Sequence, residues 1–207
     1  IPAAIGSILM SVSNIIVNSQ MAAYGDMAVA GVGVAMKVTM ITCMICMGLG
    51  QGIQPLLGFC VGAGTWDRYK KIFRFSLIFS FAVGVILVSL SYIFAGSIVR
   101  AFLTDASAFE YGLKFVRILL STNFFFGVFF VVINALQAMG AAVPSLIINC
   151  CRHGIIHIPM LFALEAIMGE TGLIWAQPVT DVLSLVLAVI LYAITYKKMK
   201  KERNLEK

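Results

Sequence analysis

The sequence predicts an all-α integral membrane protein built as a six-transmembrane-helix bundle. Three observations carry that expectation. The composition is 61% hydrophobic and 12% charged, whereas soluble domains run at about 45–50% apolar and about 25% charged; the mean hydropathy is +1.00. The 207 residues divide into apolar segments, with room for about six crossings at roughly 20 residues each. Ten of the fifteen basic residues sit in two patches just beyond apolar segments: Arg68, Lys70, Lys71 and Arg74, then Lys197, Lys198, Lys200, Lys201, Arg203 and Lys207. Cytoplasmic flanks of membrane helices carry that bias.

The first segment, residues 2–24, ends at the turn signal Gly25-Asp26. Ser7, Ser11, Asn14 and Asn18 recur at helical spacing and form one polar stripe. Such a stripe faces other helices or a water-filled cavity, not lipid. Ile1-Pro2-Ala3 stands at the threshold of this segment without a basic n-region. It is not a signal peptide, and the chain is expected to be a piece of a longer protein.

The second segment, residues 28–64, would reach about 55 Å as one helix, against an apolar slab of about 30 Å. It must tilt, protrude or break. Residues 48–64, GLGQGIQPLLGFCVGAG, are rich in glycine and contain Pro55, so a hinge is expected there. Gly48/Gly52 and Gly58/Gly62 are also at the spacing that lets membrane helices approach closely. Met36, Met40, Met44 and Met47 form a stripe that suits either packing or a surface accepting many shapes.

A basic loop over residues 64–71 leads to the third segment, residues 72–94. Residues 95–103 are expected as an amphipathic turn at the interface. The fourth segment, residues 111–139, contains the aromatic block Phe124, Phe125, Phe126, Phe129 and Phe130. The fifth, residues 145–168, is the most polar inside, with Asn149, Arg152, His153 and His157 before Pro159. After a turn signal between Gly169 and Gly172, the sixth, residues 173–196, contains Gln177-Pro178 and Asp181, and residues 197–207 form a basic tail. An even number of crossings puts both termini and both basic patches on one side, the cytoplasmic one, and Asp26, Asp105, Glu110 and Glu170 on the other.

Ionisable groups inside a span cost at least about 2.5–3.5 kcal/mol and mark function by default. Arg152 and Asp181 are the two clear cases. Counted from the segment ends, Arg152 lies about 10 Å deep from the cytoplasmic face and Asp181 about 18 Å. A long arginine bridges that difference, so the two are expected to pair, directly or through Gln177 or water; separate placement against a polar cavity is the alternative. His153 and His157 stand four apart and are candidates for proton coupling. Their spacing also suits a metal, but no further ligand pattern supports one, and no metal or cofactor is expected. The five cysteines lie in or beside apolar runs and define no disulfide framework. No nucleophile–base set appears, so an enzyme is not expected, and the basic tail reads as lipid-headgroup contact rather than nucleic-acid binding.

The ordered motifs carry a resemblance. Pro2-Ala3-Ala4 opens a helix with Asn14 and Asn18. Gly50-Gln51-Gly52-Ile53-Gln54-Pro55-Leu56-Leu57-Gly58 and Gly62-Ala63-Gly64 follow, then Ala135-Leu136-Gln137-Ala138-Met139-Gly140. With these the chain resembles the carboxy-terminal six-helix lobe of MATE (multidrug and toxic compound extrusion) transporters over essentially its whole length. Arg152-His153-Gly154, Ile158-Pro159 and Gln177-Pro178-Val179-Thr180-Asp181 place it nearest the MepA-like subgroup. The resemblance implies one lobe of a twelve-helix antiporter in the plasma (inner) membrane that exchanges cationic amphipathic drugs for Na⁺ or H⁺. An amino-terminal six-helix lobe would then be its partner. Asn14, Asn18, Gln51, Gln54, Arg152, Gln177 and Asp181 become candidates for lining or bracing the substrate cavity. Gly48, Gly52, Pro55, Gly58 and Gly62 become hinge and packing positions. Members with acidic cation ligands carry them on helices matching the first and fourth segments, where this chain has Asn14, Asn18, Asn123, Asn134 and Gln137. The coupling-ion site is therefore expected mostly in the other lobe. The rival readings are a lipid or polysaccharide flippase of the same superfamily and a non-transporting membrane assembly subunit.

Overall fold

The computed structural model describes residues 2–103 and 105–205, and the described residues are helical with no strand. The elements are α1 (Pro2–Ala22), α2 (Asp26–Gly62), α3 (Trp66–Ile93), α4 (Ala95–Phe102), α5 (Ala106–Asn123), α6 (Phe126–Ala138), α7 (Ala142–Cys150), α8 (His157–Met168) and α9 (Glu170–Leu205), with a π-helical turn, Cys151–Ile155, between α7 and α8. Four spans are long and apolar enough to cross a membrane: α2, α3, the α7–α8 run and α9. The pair α5–α6, bent by 46° at a short break, makes a fifth. Ile8–Ala22 of α1 is a shorter apolar helix, and the side chain of Ser7 from its expected polar stripe lies outside the described residues.

The lobe is apolar outside as well as inside, as lipid requires. On α3, Ser76, Ser80, Gly84 and Val88 are buried at four-residue spacing, while Phe75, Ile78, Phe79 and Ile86 are exposed. Small residues line the seam because lipid tails give no hydrophobic drive and close contact must supply the attraction. The second helix is the axis of the lobe, packing along α5 and α6. A Cβ on Gly31 would lie 3.0 Å from the Gly112 backbone nitrogen, which fixes one approach. Turns at Gly25 (φ 104°) and Gly169 (φ 60°) fall at the expected turn signals.

Several boundaries differ from the sequence reading. The second segment does not break: α2 runs 37 residues through Pro55 to Gly62, so the expected break at the glycine-rich stretch is not found. A Cβ added at Gly48, Gly52 or Gly62 would find nothing within 4 Å, and at Gly58 the nearest atom is 3.9 Å away. The close approach falls on Gly50, where a Cβ would stand 2.6 Å from Asn134 Nδ2 and 3.0 Å from the Phe130 carbonyl oxygen. The break occurs in the fourth segment, at Phe124-Phe125 between α5 and α6. Irregular backbone survives at membrane depth only where protein covers it, and α3 covers it: a Cβ on Gly84 would lie 2.8 Å from the Phe124 carbonyl, and one on Gly127 would run into the Ser80 carbonyl. The expected basic loop is mostly the first turns of α3, and α9 carries the basic tail on as helix to Leu205.

The two ends of the lobe are held differently. At one end, the Asp105 carboxylate caps α5 by accepting from the Ser107 and Ala108 backbone N–H groups, at 2.8 and 3.2 Å. Lys114 donates to Thr171 Oγ1 at 2.8 Å and Glu170 Oε1 at 3.5 Å, and Tyr24 to Glu165 Oε1 at 3.4 Å. At the other end, Trp66, Tyr69 and Phe73 of α3 interleave with Tyr192 and Tyr196 of α9, ring centroids 4.5–6.0 Å apart. Tyr69 is fully buried between the exposed Arg68 and Lys70. Aromatic rings beside basic residues are the signature of a membrane–water interface.

Candidate functional site: a buried ion pair in an aromatic cage

Two prolines disturb the helices that carry the site. Pro159 has no N–H for the Ile155 carbonyl and its ring crowds that group. One turn earlier the chain widens into the π-turn, closed by the Ile156 N–H donating to the Cys151 carbonyl oxygen at 3.0 Å. Such wide turns concentrate at functional positions, and Arg152 is its second residue. Pro178 sits inside α9, three residues before Asp181.

The two ionisable groups meet directly. Arg152 Nε donates to Asp181 Oδ1 at 2.8 Å, with the side chains 7% and 8% exposed. Gln177 Nε2, one turn earlier on α9, reaches both carboxylate oxygens at 3.2 and 3.3 Å. The guanidinium carbon lies 4.6 Å from the ring centroid of Phe129, 4.8 Å from Phe126 and 5.9 Å from Phe130. Arginine suits this position because its planar cation stacks on rings while its N–H groups bind a carboxylate. Phe126, Phe129 and Phe130 of the aromatic block thus form a cage for the buried cation. Separate placement of Arg152 and Asp181 is excluded.

The neighbours are polar too. His157 is buried with Nδ1 3.4 Å from Thr180 Oγ1, beside Asp181 in sequence. His153 is half-buried, and Cys43 of α2 stands within electrostatic reach of Arg152 and Asp181. No group of three His, Cys, Asp or Glu among the described residues could hold a metal ion. A shallow groove beside the cage is lined by Thr122, Phe125, Phe126 and Phe129 of the broken span and by Asp181, Val182 and Leu185 of α9. Among the described residues, the Thr122 hydroxyl and both amide atoms of Asn123 are buried without hydrogen-bond partners.

The remaining candidates lie elsewhere. Asn14, Asn18 and Gln51 are exposed and Gln54 is half-buried, so the structure does not gather them around the pair. Met40, Met44 and Met47 are likewise exposed, and only Met36 packs against the core. Two features of the lobe escaped the sequence reading. The broken span had a signal in the polar pair Thr122-Asn123 inside an apolar run. Lys37, exposed on α2 with its Nζ 5.6 Å from the Phe102 ring, is a cation that the apolar patterning passed over.

Fold and site together define an all-helical lobe of a multi-pass membrane protein, in which a caged ion pair joins helices from two spans. The MatE family model matches residues 2–163, and the chain belongs to that family. Among curated relatives it is 27% identical over 191 residues to the multidrug export protein MepA of Staphylococcus aureus (strain NCTC 8325 / PS 47), covering 92% of this chain and 42% of the relative. It is 28% identical over 199 residues to MepA of Staphylococcus haemolyticus, covering 94% of this chain and 43% of that protein. The chain therefore spans less than half the length of the curated relatives it matches. The Vibrio cholerae MATE transporter VcmN in its bent form superposes with a TM-score of 0.87 at 17% identity, covering 96% of this chain and 45% of VcmN. That likeness bears on the fold.

Proposed function

We propose that this chain is the carboxy-terminal lobe of a cation-coupled antiporter that exports cationic amphipathic compounds by alternating access, with an amino-terminal six-helix lobe as its partner. The observation that carries the reading is the Arg152–Asp181 pair, buried at 2.8 Å in a lobe whose relatives are multidrug exporters. Burying a charge pair is weak support for stability, so its retention inside a span points to a task.

The exposure of Asn14, Asn18 and Gln51 supports their facing the partner lobe across the substrate cavity. The exposed Met40, Met44 and Met47 add an adaptable apolar surface. His153 and His157, next to the pair, are the proton-coupling candidates of this lobe, while the main coupling-ion site, for Na⁺ or H⁺, lies in the other one. The protein works in the plasma membrane as a transporter and not as an enzyme. Both termini and the basic patches face the cytoplasm, and residues 197–207 form the basic cytoplasmic end of the lobe.

The test is transport of a fluorescent cationic dye in vesicles by the complete transporter carrying this lobe, under separate Na⁺ and H⁺ gradients. Efflux driven by one of the two is expected. Dye flux indifferent to both would overturn the antiporter reading.

A further inference from the structure

We propose that Asp181 and the faces of Phe126 and Phe129 form a binding site for planar, delocalised organic cations of the amidinium or guanidinium class, which Arg152 fills as a tethered competitor. This deepens the export reading and rests on it for the route by which such a cation arrives.

The site already holds a cation of that chemistry. The Arg152 guanidinium carbon is 4.6 and 4.8 Å from two ring centroids while its Nε donates to a carboxylate 2.8 Å away. A flat cation meets ring faces and an in-plane acceptor at once, which a tetrahedral ammonium does not do. The same three residues also line the groove that runs past Thr122 and Phe125. A ligand entering there meets the carboxylate and rings that Arg152 engages from the opposite helix. Two features favour exchange over a permanent bond. Arg152 stands in a π-turn one turn from Pro159, a wide turn of the kind that concentrates at functional positions. The Thr122 hydroxyl at the groove is buried without a partner among the described residues, an acceptor for a second N–H. Gln177, touching both oxygens of Asp181, keeps the carboxylate oriented while the cations change places.

The test is equilibrium calorimetry on the complete transporter in detergent, without ion gradients, using benzamidinium, neutral benzamide and tetramethylammonium as probes. Benzamidinium is expected to bind about tenfold or more tighter than either control, the size expected of a desolvated cation on rings beside a carboxylate. Arg152→Gln removes the competitor and is expected to tighten benzamidinium about tenfold, whereas Asp181→Asn weakens it by at least that factor. Equal binding of benzamide and benzamidinium overturns the proposal, as does weakening by Arg152→Gln. If Arg152→Gln does not fold, Phe129→Leu decides, because it leaves the ion pair in place: a several-fold loss supports the site and unchanged affinity overturns it. Gradient-driven dye efflux without benzamidinium binding sinks this inference alone. Benzamidinium binding with dye flux indifferent to gradients sinks the export reading alone.

Discussion

Arg152 and Asp181, 29 residues apart in sequence, are joined by a 2.8 Å hydrogen-bonded ion pair inside the lobe. The bond ties the π-turn of one span to the proline-bearing stretch of α9. Removing one partner strands a buried charge, which costs about 3–5 kcal/mol, whereas replacing both with apolar residues of similar size is often neutral. Arg152→Met and Asp181→Leu are each expected to destabilise by about that amount, and the double variant by less than either. Thermal unfolding of the complete transporter in detergent checks this. A double variant as unstable as the sum of the singles would show that the pair does not act as a unit.

The glycine-rich end of α2 makes a second, positional prediction. Gly50→Ala places a methyl group 2.6 Å from Asn134 Nδ2 and 3.0 Å from the Phe130 carbonyl, and overpacking of that kind costs about 1–3 kcal/mol. Gly48→Ala and Gly52→Ala meet open space within the lobe and should gain roughly 0.5–1 kcal/mol of helix stability. Measured in the complete transporter, a cost at Gly48 or Gly52 would report a contact made by the partner lobe.

Asn123 is 1% exposed and neither amide atom has a hydrogen-bond partner among the described residues. Leaving such a group unsatisfied costs about 1–3 kcal/mol, and an apolar group of the same shape removes the penalty. Asn123→Leu is therefore expected to raise the melting temperature. A fall of several degrees would mean that the amide has a partner in the full assembly, and loss of transport at raised stability would mark it as functional.

The orientation is open to direct labelling. With the native cysteines replaced, a cysteine at Lys70 should react with a membrane-impermeant maleimide only from the cytoplasmic side. One at Asp105 should react only from outside. Labelling of both positions from one side would overturn the assigned topology and with it the even count of crossings.

How much of this was legible in the chain varies with the kind of signal. Composition and apolar runs determined the membrane class, the six-segment layout and turns such as Gly25 and Gly169, because insertion into lipid is decided locally, segment by segment. Charge inside a span likewise picked out Arg152 and Asp181, and counting residues from the segment ends brought their depths within reach of each other. The ordered motifs were enough to identify the family.

Only the tertiary structure decided how the helices use those residues. Pro55 and its glycines looked like the break, yet α2 stays continuous. The bend falls at Phe124-Phe125, because α3 presents Gly84 and Ser80 to cover it. Among the glycines, the sequence marked Gly48 and Gly52 by spacing, and the packing chose Gly50, since close approach depends on which face a neighbour covers and not on interval. Phe126, Phe129 and Phe130 could have faced lipid; the structure wraps them around the Arg152 guanidinium. Periodicity states which residues share a face. What lies against that face is settled by the other helices, and there the ion pair acquires its cage.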